Sequence, residues 1–490
     1  MHRSRLAALA VIVILAGAVG AYSYFRLGGS SATTSGSSCA SNYHEGAPIR
    51  NQLGNITVGR LTEFQLPWNS RAPNGITVAA DGSVWFGEES LPGLAHLFQN
   101  GTLLEYVWPG IYPPPGPTNY SCGYRTQIWG VALWNGSVWA SDASGNDLVS
   151  LNPETGAFHF FTLSANAFPD YLTAGLDGGL WFTELFTPAI VRLDHNGTAR
   201  TYTPPTGISG TPTQILFVNS SYALYADAGQ AGENNGGVYG FNPAHPAFVR
   251  VGGTRSLTGV TGLATAAGGL WISEHGPPFV DFFNYSSSTW TDYPTSLVRY
   301  STTTLPYFAK SDGVHVWFNE HYGDKIAEID TSSHSMIEYA VSNPPAGNLS
   351  GISAAQTIAR DGMKIWFTEL GGNKVGFADF SSPPPFELVP LSSQEITVRQ
   401  GGSVALSFEI QGNSVPPVQL KFSDSESGSA VPKDLNATSS SNLLGTFASG
   451  TKFTLNLTAA AGLTPGVYIF DVTATDGSTS YTVFLHVDIP

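Results

Sequence analysis

The feature that most constrains this chain is a repeat. An apolar strand, a tight turn, an aromatic pair and a carboxylate recur in that order. The motif reads DGSVWFGEE around Trp85, NGSVWASD around Trp139 and DGGLWFTE around Trp181. A degenerate fourth copy, SYALYAD, has Leu224 in the tryptophan position, and the motif returns as GGLWISE at Trp271, HVWFNE at Trp317 and KIWFTE at Trp366. Successive anchors lie 42 to 54 residues apart. A unit of that length holds four short strands and cannot bury its apolar face alone, so the copies must stack on one another. Segments such as IVRLD (190–194), VYGFN (238–242) and IAEID (326–330) predict a third strand in each copy. An outer fourth strand is predicted from segments such as TLLEYVWP (102–109) and MIEYAV (336–341). The segment RLTEFQLP (60–67) matches this outer type and is expected to complete the last copy, so that both chain ends of a ring share one sheet. The expected fold is all-β, with a seven-bladed β-propeller over residues 59–390.

Beyond Leu391 the repeat stops. ITVRQGGSVALSFEI, KFTLNLTA, GVYIFDVTATDG and YTVFLHVDI alternate apolar and polar residues between Gly/Pro turns, notably Thr464-Pro465-Gly466-Val467-Tyr468. That pattern predicts an immunoglobulin-like β-sandwich over residues 391–490, a module that commonly serves as spacer or adhesion unit. At the other end, Arg3 and Arg5 precede an apolar run from Leu6 to Phe25, long enough to cross a bilayer as a helix. Residues 1–27 are therefore expected to be one N-terminal transmembrane helix, with the bulk of the chain extracytoplasmic. The alternative is a cleaved signal segment, cut near Val19-Gly20-Ala21, and secretion. Residues 28–58, opening with GGSSATTSGSS, read as a flexible linker. In an oxidising compartment the two cysteines, Cys39 and Cys122, would most simply form a disulfide. Ten Asn-x-Ser/Thr sequons are consistent with a glycosylated surface, although Gly- and Ser-rich turns also generate them.

Composition narrows the function classes. Of 490 residues only 12% are charged, while there are 55 glycines and 32 prolines, which disfavours long helices and suits short strands and turns. The net charge of −15, with no basic cluster beyond the N-terminus, argues against a nucleic-acid partner. There is no Walker-type loop, no Gly-x-Ser-x-Gly and no His-Glu-x-x-His.

Chemistry is expected where the second strands end, at Glu88, Asp142, Glu184, Asp227, Glu274, Glu320 and Glu369. If these ends share one mouth, they form either a funnel for a divalent cation such as Mg²⁺ or Ca²⁺, or seven structural fixtures that accept backbone N–H bonds. Glu274, Glu320 and Glu369 are the metal candidates. Copies five and six add histidine directly after the carboxylate, in Ser273-Glu274-His275 and Asn319-Glu320-His321. Neighbouring strand residues point to opposite faces, so the expected pairs run between copies: His275 with Glu320, or His321 with Glu274. Either pair would serve as a base with its orienting carboxylate, as metal ligands, or as packed structure. Gln127, Gln214, Tyr307 and Gln356, near the starts of the innermost strands, are candidate ligand-binding residues or backbone satisfiers.

GITVAADGSVWFGE, GGLWFTELFTPAIVRLD and KIWFTELGGNKVGFAD resemble the streptogramin B lyase (virginiamycin B lyase) family of seven-bladed propellers, over roughly residues 59–390. The resemblance implies opening of a cyclic depsipeptide at its ester by elimination, with histidine and Mg²⁺. The family's Pro-His-x-Ile patterns correspond here to Pro306-Tyr307-Phe308-Ala309 and Ala355-Gln356-Thr357-Ile358, so both histidines are replaced. The acid expected two residues before the second is Ala354, whereas Glu369 is retained. Three functions follow as expectations. The first is an exported, membrane-tethered propeller that binds a small molecule, glycan or surface protein at its mouth. The second is a metal-assisted lyase or hydrolase acting on a cyclic ester or lactone. The third is a non-catalytic surface structural protein.

Overall fold

The computed structural model describes residues 47–490 except 68–70, 110–125, 206–209, 230–234, 296–303, 342–354, 383–385, 393–394, 413–416, 425–434, 440–444, 447–449 and 476–479. The apolar N-terminal run, Cys39 and Cys122 lie outside the described residues. Among the described residues no helix is long and apolar enough to cross a membrane.

Among those residues, Ile49 to Asp379 form seven antiparallel sheets of four or five strands. In each sheet the motif carboxylate ends the second strand, as in Val84–Glu88, Ser137–Asp142 and Gly269–Glu274. The first strand of each sheet packs against its counterpart in the next, and that of the seventh returns to that of the first. The motif tryptophans hold neighbouring sheets together. Trp85 shares a core with Ile128 and Val131, Trp139 with Leu172 and Leu180, and Trp181 with Ile215 and Tyr225. Leu224 fills the same role against Leu263 and Ile272, so the degenerate copy retains its packing function. Trp271, Trp317 and Trp366, all fully buried, continue the series, and Trp366 packs with Ile76 and Phe86 of the first sheet. Truncating any one of these rings to alanine would cost about 3–5 kcal/mol.

The expected closure is present: Leu61–Gln65 pairs antiparallel with Lys374–Asp379 of the seventh sheet. The linker expectation for residues 28–58 needs correction over its described part. Asn55–Val58 adds a strand outside Leu61–Gln65, and Ile49–Gln52 adds one to the outer edge of the first sheet. An unpaired sheet edge leaves backbone groups to solvent or to a stray partner, and these strands cover two such edges. Four of the sequons sit in hairpin turns, where Asn100, Asn196, Asn219 and Asn284 each accept a backbone N–H two residues on, at 2.9 Å in every case. Turn chemistry thus accounts for part of the sequon surplus.

The C-terminal unit begins earlier than residue 391, because Glu387–Pro390 pairs with Ser403–Gln411 and not with the repeat. One four-stranded and one five-stranded sheet follow, the second including a parallel pair between Glu395–Thr397 and Ser480–Ile489. Leu406, Phe408, Phe453 and Leu455 of one sheet share a core with Val472, Val483, Leu485 and Val487 of the other. That core continues into the repeat through Tyr339, Phe367 and Phe380. At the junction, Arg60 makes two hydrogen bonds to Glu387, at 3.2 and 2.7 Å. A Cβ on Gly59 would approach the Tyr481 ring to 2.9 Å, so this joint requires glycine.

Candidate functional site

The seven motif carboxylates are all buried. Their surroundings support the structural alternative. Lys325 Nζ bridges Glu320 (3.3 Å) and Glu338 (3.1 Å), and Lys374 Nζ bridges Glu369 (3.7 Å) and Glu63 (3.1 Å). Arg71 stands between Glu88 and Glu105 at 3.8 and 2.7 Å. Glu274 accepts the Thr258 N–H, Asp227 the Gly229 N–H at 2.9 Å, and Glu184 the Thr187 hydroxyl at 3.0 Å. Each carboxylate staples its own sheet to an adjacent loop or strand. Among the described residues no three His, Cys, Asp or Glu side chains come together to hold a metal ion. Glu274, Glu320 and Glu369 therefore do not form the expected metal set, and the residues present do not fit a divalent cation there.

The histidines meet each other and not the carboxylates. Each lies just past the end of a second strand, where its backbone N–H bonds to the segment entering the first strand: His275 to Gly259 O (2.7 Å) and His321 to Leu305 O (3.1 Å). The side chains converge with His275 Nε2 3.0 Å from His321 Nδ1 and the rings crossed at 85°. His321 Nε2 lies 2.9 Å from the carbonyl oxygen of Gln356. Burial pushes His275 well below the usual imidazole range, with His321 adding to the effect. Burial also pushes His321 down to about 4, against the opposing bond to Gln356. Both rings are thus neutral at pH 7, and the tautomers follow from the geometry. A carbonyl only accepts, so His321 Nε2 carries the proton and its Nδ1 accepts. His275 Nε2 must then donate to it, which leaves the lone pair on His275 Nδ1. That nitrogen is buried and has no hydrogen-bond partner in the protein. The expected His275–Glu320 and His321–Glu274 pairs are replaced by one polarised histidine pair, because the carboxylates are already engaged within their own sheets.

Tyr307 completes the cluster, with its ring centre 5.2 Å from that of His275 and 4.1 Å from that of His321. The phenol is raised well above its usual pKa by burial and then by the charge of Asp170. Asp170 belongs to the third sheet and Tyr307 to the sixth, so this interaction spans the circle of first strands. Asp170 is itself pushed up to about 7 by burial, and its Oδ1 has no hydrogen-bond partner. Beside it, Tyr171 reaches Phe308 at 5.5 Å, and Lys310 Nζ stands 6.0 Å above the Tyr171 ring. The sheets approach this closely because Gly130 and Gly262 offer no side chain: a Cβ on Gly262 would lie 2.0 Å from Tyr307 O.

The remaining candidates divide. The Gln214 side chain both donates to Leu263 O (3.1 Å) and accepts from Leu263 N (2.9 Å), which clamps the fourth sheet to the fifth. Gln127 accepts the Ser144 hydroxyl at 3.0 Å. Gln356 contributes its carbonyl to the histidine pair, where a side-chain role was expected. The expected Cys39–Cys122 disulfide lies outside the described residues. Sequence reasoning missed Asp170, although a signal existed. In six of the seven sheets the first strand bulges just after the residue opposite the carboxylate, and in the first sheet it does so one residue later. The residue following that position is Asn74, Trp129, Asp170, Thr213, Thr261, Tyr307 or Gln356. A bulge re-aims side chains next to functional sites. Aligning that single position across the copies isolates Asp170 as its one carboxylate.

No protein-family model and no curated protein matches the sequence. Among solved structures, the chain is similar to selenomethionine-substituted virginiamycin B lyase from Staphylococcus aureus, with 21% identity and a TM-score of 0.50. It is similar also to a catalytically inactive variant of that enzyme with quinupristin, with 20% identity and a TM-score of 0.51. Each comparison covers 65% of this chain and 98% of the other. At such identity the likeness speaks for the fold: this is a β-propeller protein, similar in fold to the streptogramin B lyases.

Proposed function

We propose that this chain is an exported, membrane-tethered, seven-bladed propeller with an immunoglobulin-like sandwich, and that it binds a small molecule or glycan at the propeller mouth. The observation that carries the binding reading is two buried polar atoms without hydrogen-bond partners in the protein, His275 Nδ1 beside the Tyr307 ring and Asp170 Oδ1, whose charge acts on the same tyrosine. A buried polar group left unpartnered costs about 1–3 kcal/mol, which a ligand with matching groups would offset. The ligand presents a donor to His275 Nδ1. The seven-bladed reading is supported by the cyclic contacts of the first strands, and the sandwich reading by a Tyr468 hydroxyl that donates to Thr464 O at 2.8 Å, in the manner of a tyrosine corner. Export and tethering rest on the N-terminal apolar run alone.

A second reading is favoured by one observation, the polarity of the histidine pair. A neutral imidazole with an oriented, buried lone pair is equipped to accept a proton, as a lyase or hydrolase of cyclic esters or lactones requires. Ligand retention and lactone turnover by the full chain distinguish the two. Under the binding reading, compounds that raise the melting temperature of the parent protein do so without turnover, and His275→Ala with Asp170→Asn abolishes the shift. Turnover that His275→Ala removes selects the second reading. A melting shift unchanged in both variants would exclude this site.

A further inference from the structure

A separate cleft lies where the repeat meets the C-terminal unit. Its volume is about 860 Å³, within the range of about 300–1,000 Å³ common for small-molecule sites, which favour domain junctions. Met336, Met363 and Phe380 provide apolar lining from the repeat, and Val389 and Leu391 provide it from the C-terminal unit. The charge on this surface is one-sided. Arg60, the one Lys or Arg lining it among the described residues, holds Glu387 with two bonds, donates to the carbonyls of Asp379 and Ser382 at 3.1 and 3.2 Å, and lies over Phe380. Among the described residues Glu328 and Asp330, which line the same cleft, make no ion pair, although Arg60 and His315 act on Glu328 electrostatically. Glu328 accepts the Trp317 indole N–H at 3.2 Å through Oε1, and its other oxygen makes no hydrogen bond among the described residues. Asp330 Oδ1 accepts from Ser332 and Ser333 in a turn. These bonds outweigh partial burial and keep its pKa below the usual carboxylate value.

We infer that this cleft binds an organic cation, an ammonium or guanidinium group on an apolar stem. The stem lies along Met336, Met363 and Phe380, and the charged head meets Glu328 and Asp330. Supply from a free amine and supply from a Lys or Arg side chain share this chemistry. Binding also consumes a proton-dependent charge. Arg60, Glu387, His315 and Tyr339 surround Glu328, whose carboxyl is pushed up to about 7, first by burial and then by Glu387, with Arg60 opposing. The head group therefore meets a charged Glu328 at pH 8 and a protonated one at pH 6.

The test is calorimetric titration of the full chain in detergent with two probes, n-butylguanidinium and acetyl-Gly-Arg-Gly-amide, each beside its uncharged urea isostere, n-butylurea and the citrulline peptide. Saturable binding of at least one probe, absent for its isostere and weaker by about tenfold at pH 6 than at pH 8, is expected. Binding of n-butylguanidinium identifies a free cation as sufficient, and binding of the peptide alone identifies a side-chain source. Glu328→Gln should weaken binding by about tenfold. Leu391→Trp, at an exposed rim position that tolerates a larger ring, should block the cleft without unfolding the chain. Absence of saturable binding at pH 8, equal binding of the isosteres, or binding that survives Leu391→Trp in a folded protein would overturn the inference.

Discussion

At the scale of single residues, the site depends on where protons sit. His275 and His321 are neutral because burial opposes their charged forms, and the carbonyl of Gln356 sets the tautomer of both. Nitrogen-15 spectra of the imidazoles should therefore show the Nε2–H form for each ring at pH 7, with no protonation of either down to about pH 5. A charged ring at pH 6 would contradict that assignment. Asp170 makes a second prediction, with the opposite sign from an ordinary paired carboxylate. Its folded pKa, about 7, lies above the unfolded value of about 3.9, so the folded state binds the proton more tightly. Stability should fall as pH rises between those values, and the loss should level off above pH 7. Asp170→Asn removes the penalty, so its stabilising effect in urea denaturation should be about 4 kcal/mol larger at pH 8 than at pH 4. An equal effect at both would show that Asp170 ionises freely.

At the scale of strands and sheets, polar residues that resemble functional groups are fasteners. Gln214 satisfies both backbone groups of Leu263 across two sheets. Gln214→Ala leaves that N–H and C=O buried and unpaired, and should lower stability by about 2–3 kcal/mol. Lys325 lies between two buried carboxylates, and Lys325→Met leaves Glu320 and Glu338 facing each other without it. That change should cost about 3–5 kcal/mol by chemical denaturation, and less at low pH where a carboxylate is protonated. A loss below about 1 kcal/mol at pH 7 would mean that water reaches the triad. The sequence marked the seven carboxylates as a series, and their common structural use is what a series implies. The sequence also carries a carboxylate at the bulge position in the third copy alone, at Asp170, but that position can be aligned across the copies only once backbone register is known.

At the scale of the whole molecule, Arg60 connects three parts of the chain. It precedes the strand that completes the seventh sheet, caps Asp379 at the end of that sheet, and holds Glu387 at the start of the C-terminal unit. The Tyr339 hydroxyl bonds to the same Glu387. Arg60→Ala should uncouple the two units, so that scanning calorimetry resolves two transitions where the parent protein shows one. A single transition at an unchanged temperature would show that the shared apolar core, not the arginine, transmits the coupling.

Sequence by itself determined the all-β class, the number of repeat copies and the strand that completes the last sheet. Those properties are local and periodic: the tryptophan, turn and carboxylate recur because each sheet meets its neighbour in the same way. Tertiary structure alone decided that His275 pairs with His321, that Asp170 influences Tyr307 from three sheets away, and that the C-terminal unit begins at Glu387. None of these leaves a periodic trace, because each depends on distances between strands that are far apart in the chain. The one-sided charge of the cleft likewise arises only where Arg60 is consumed by Glu387, a contact 327 residues long in sequence.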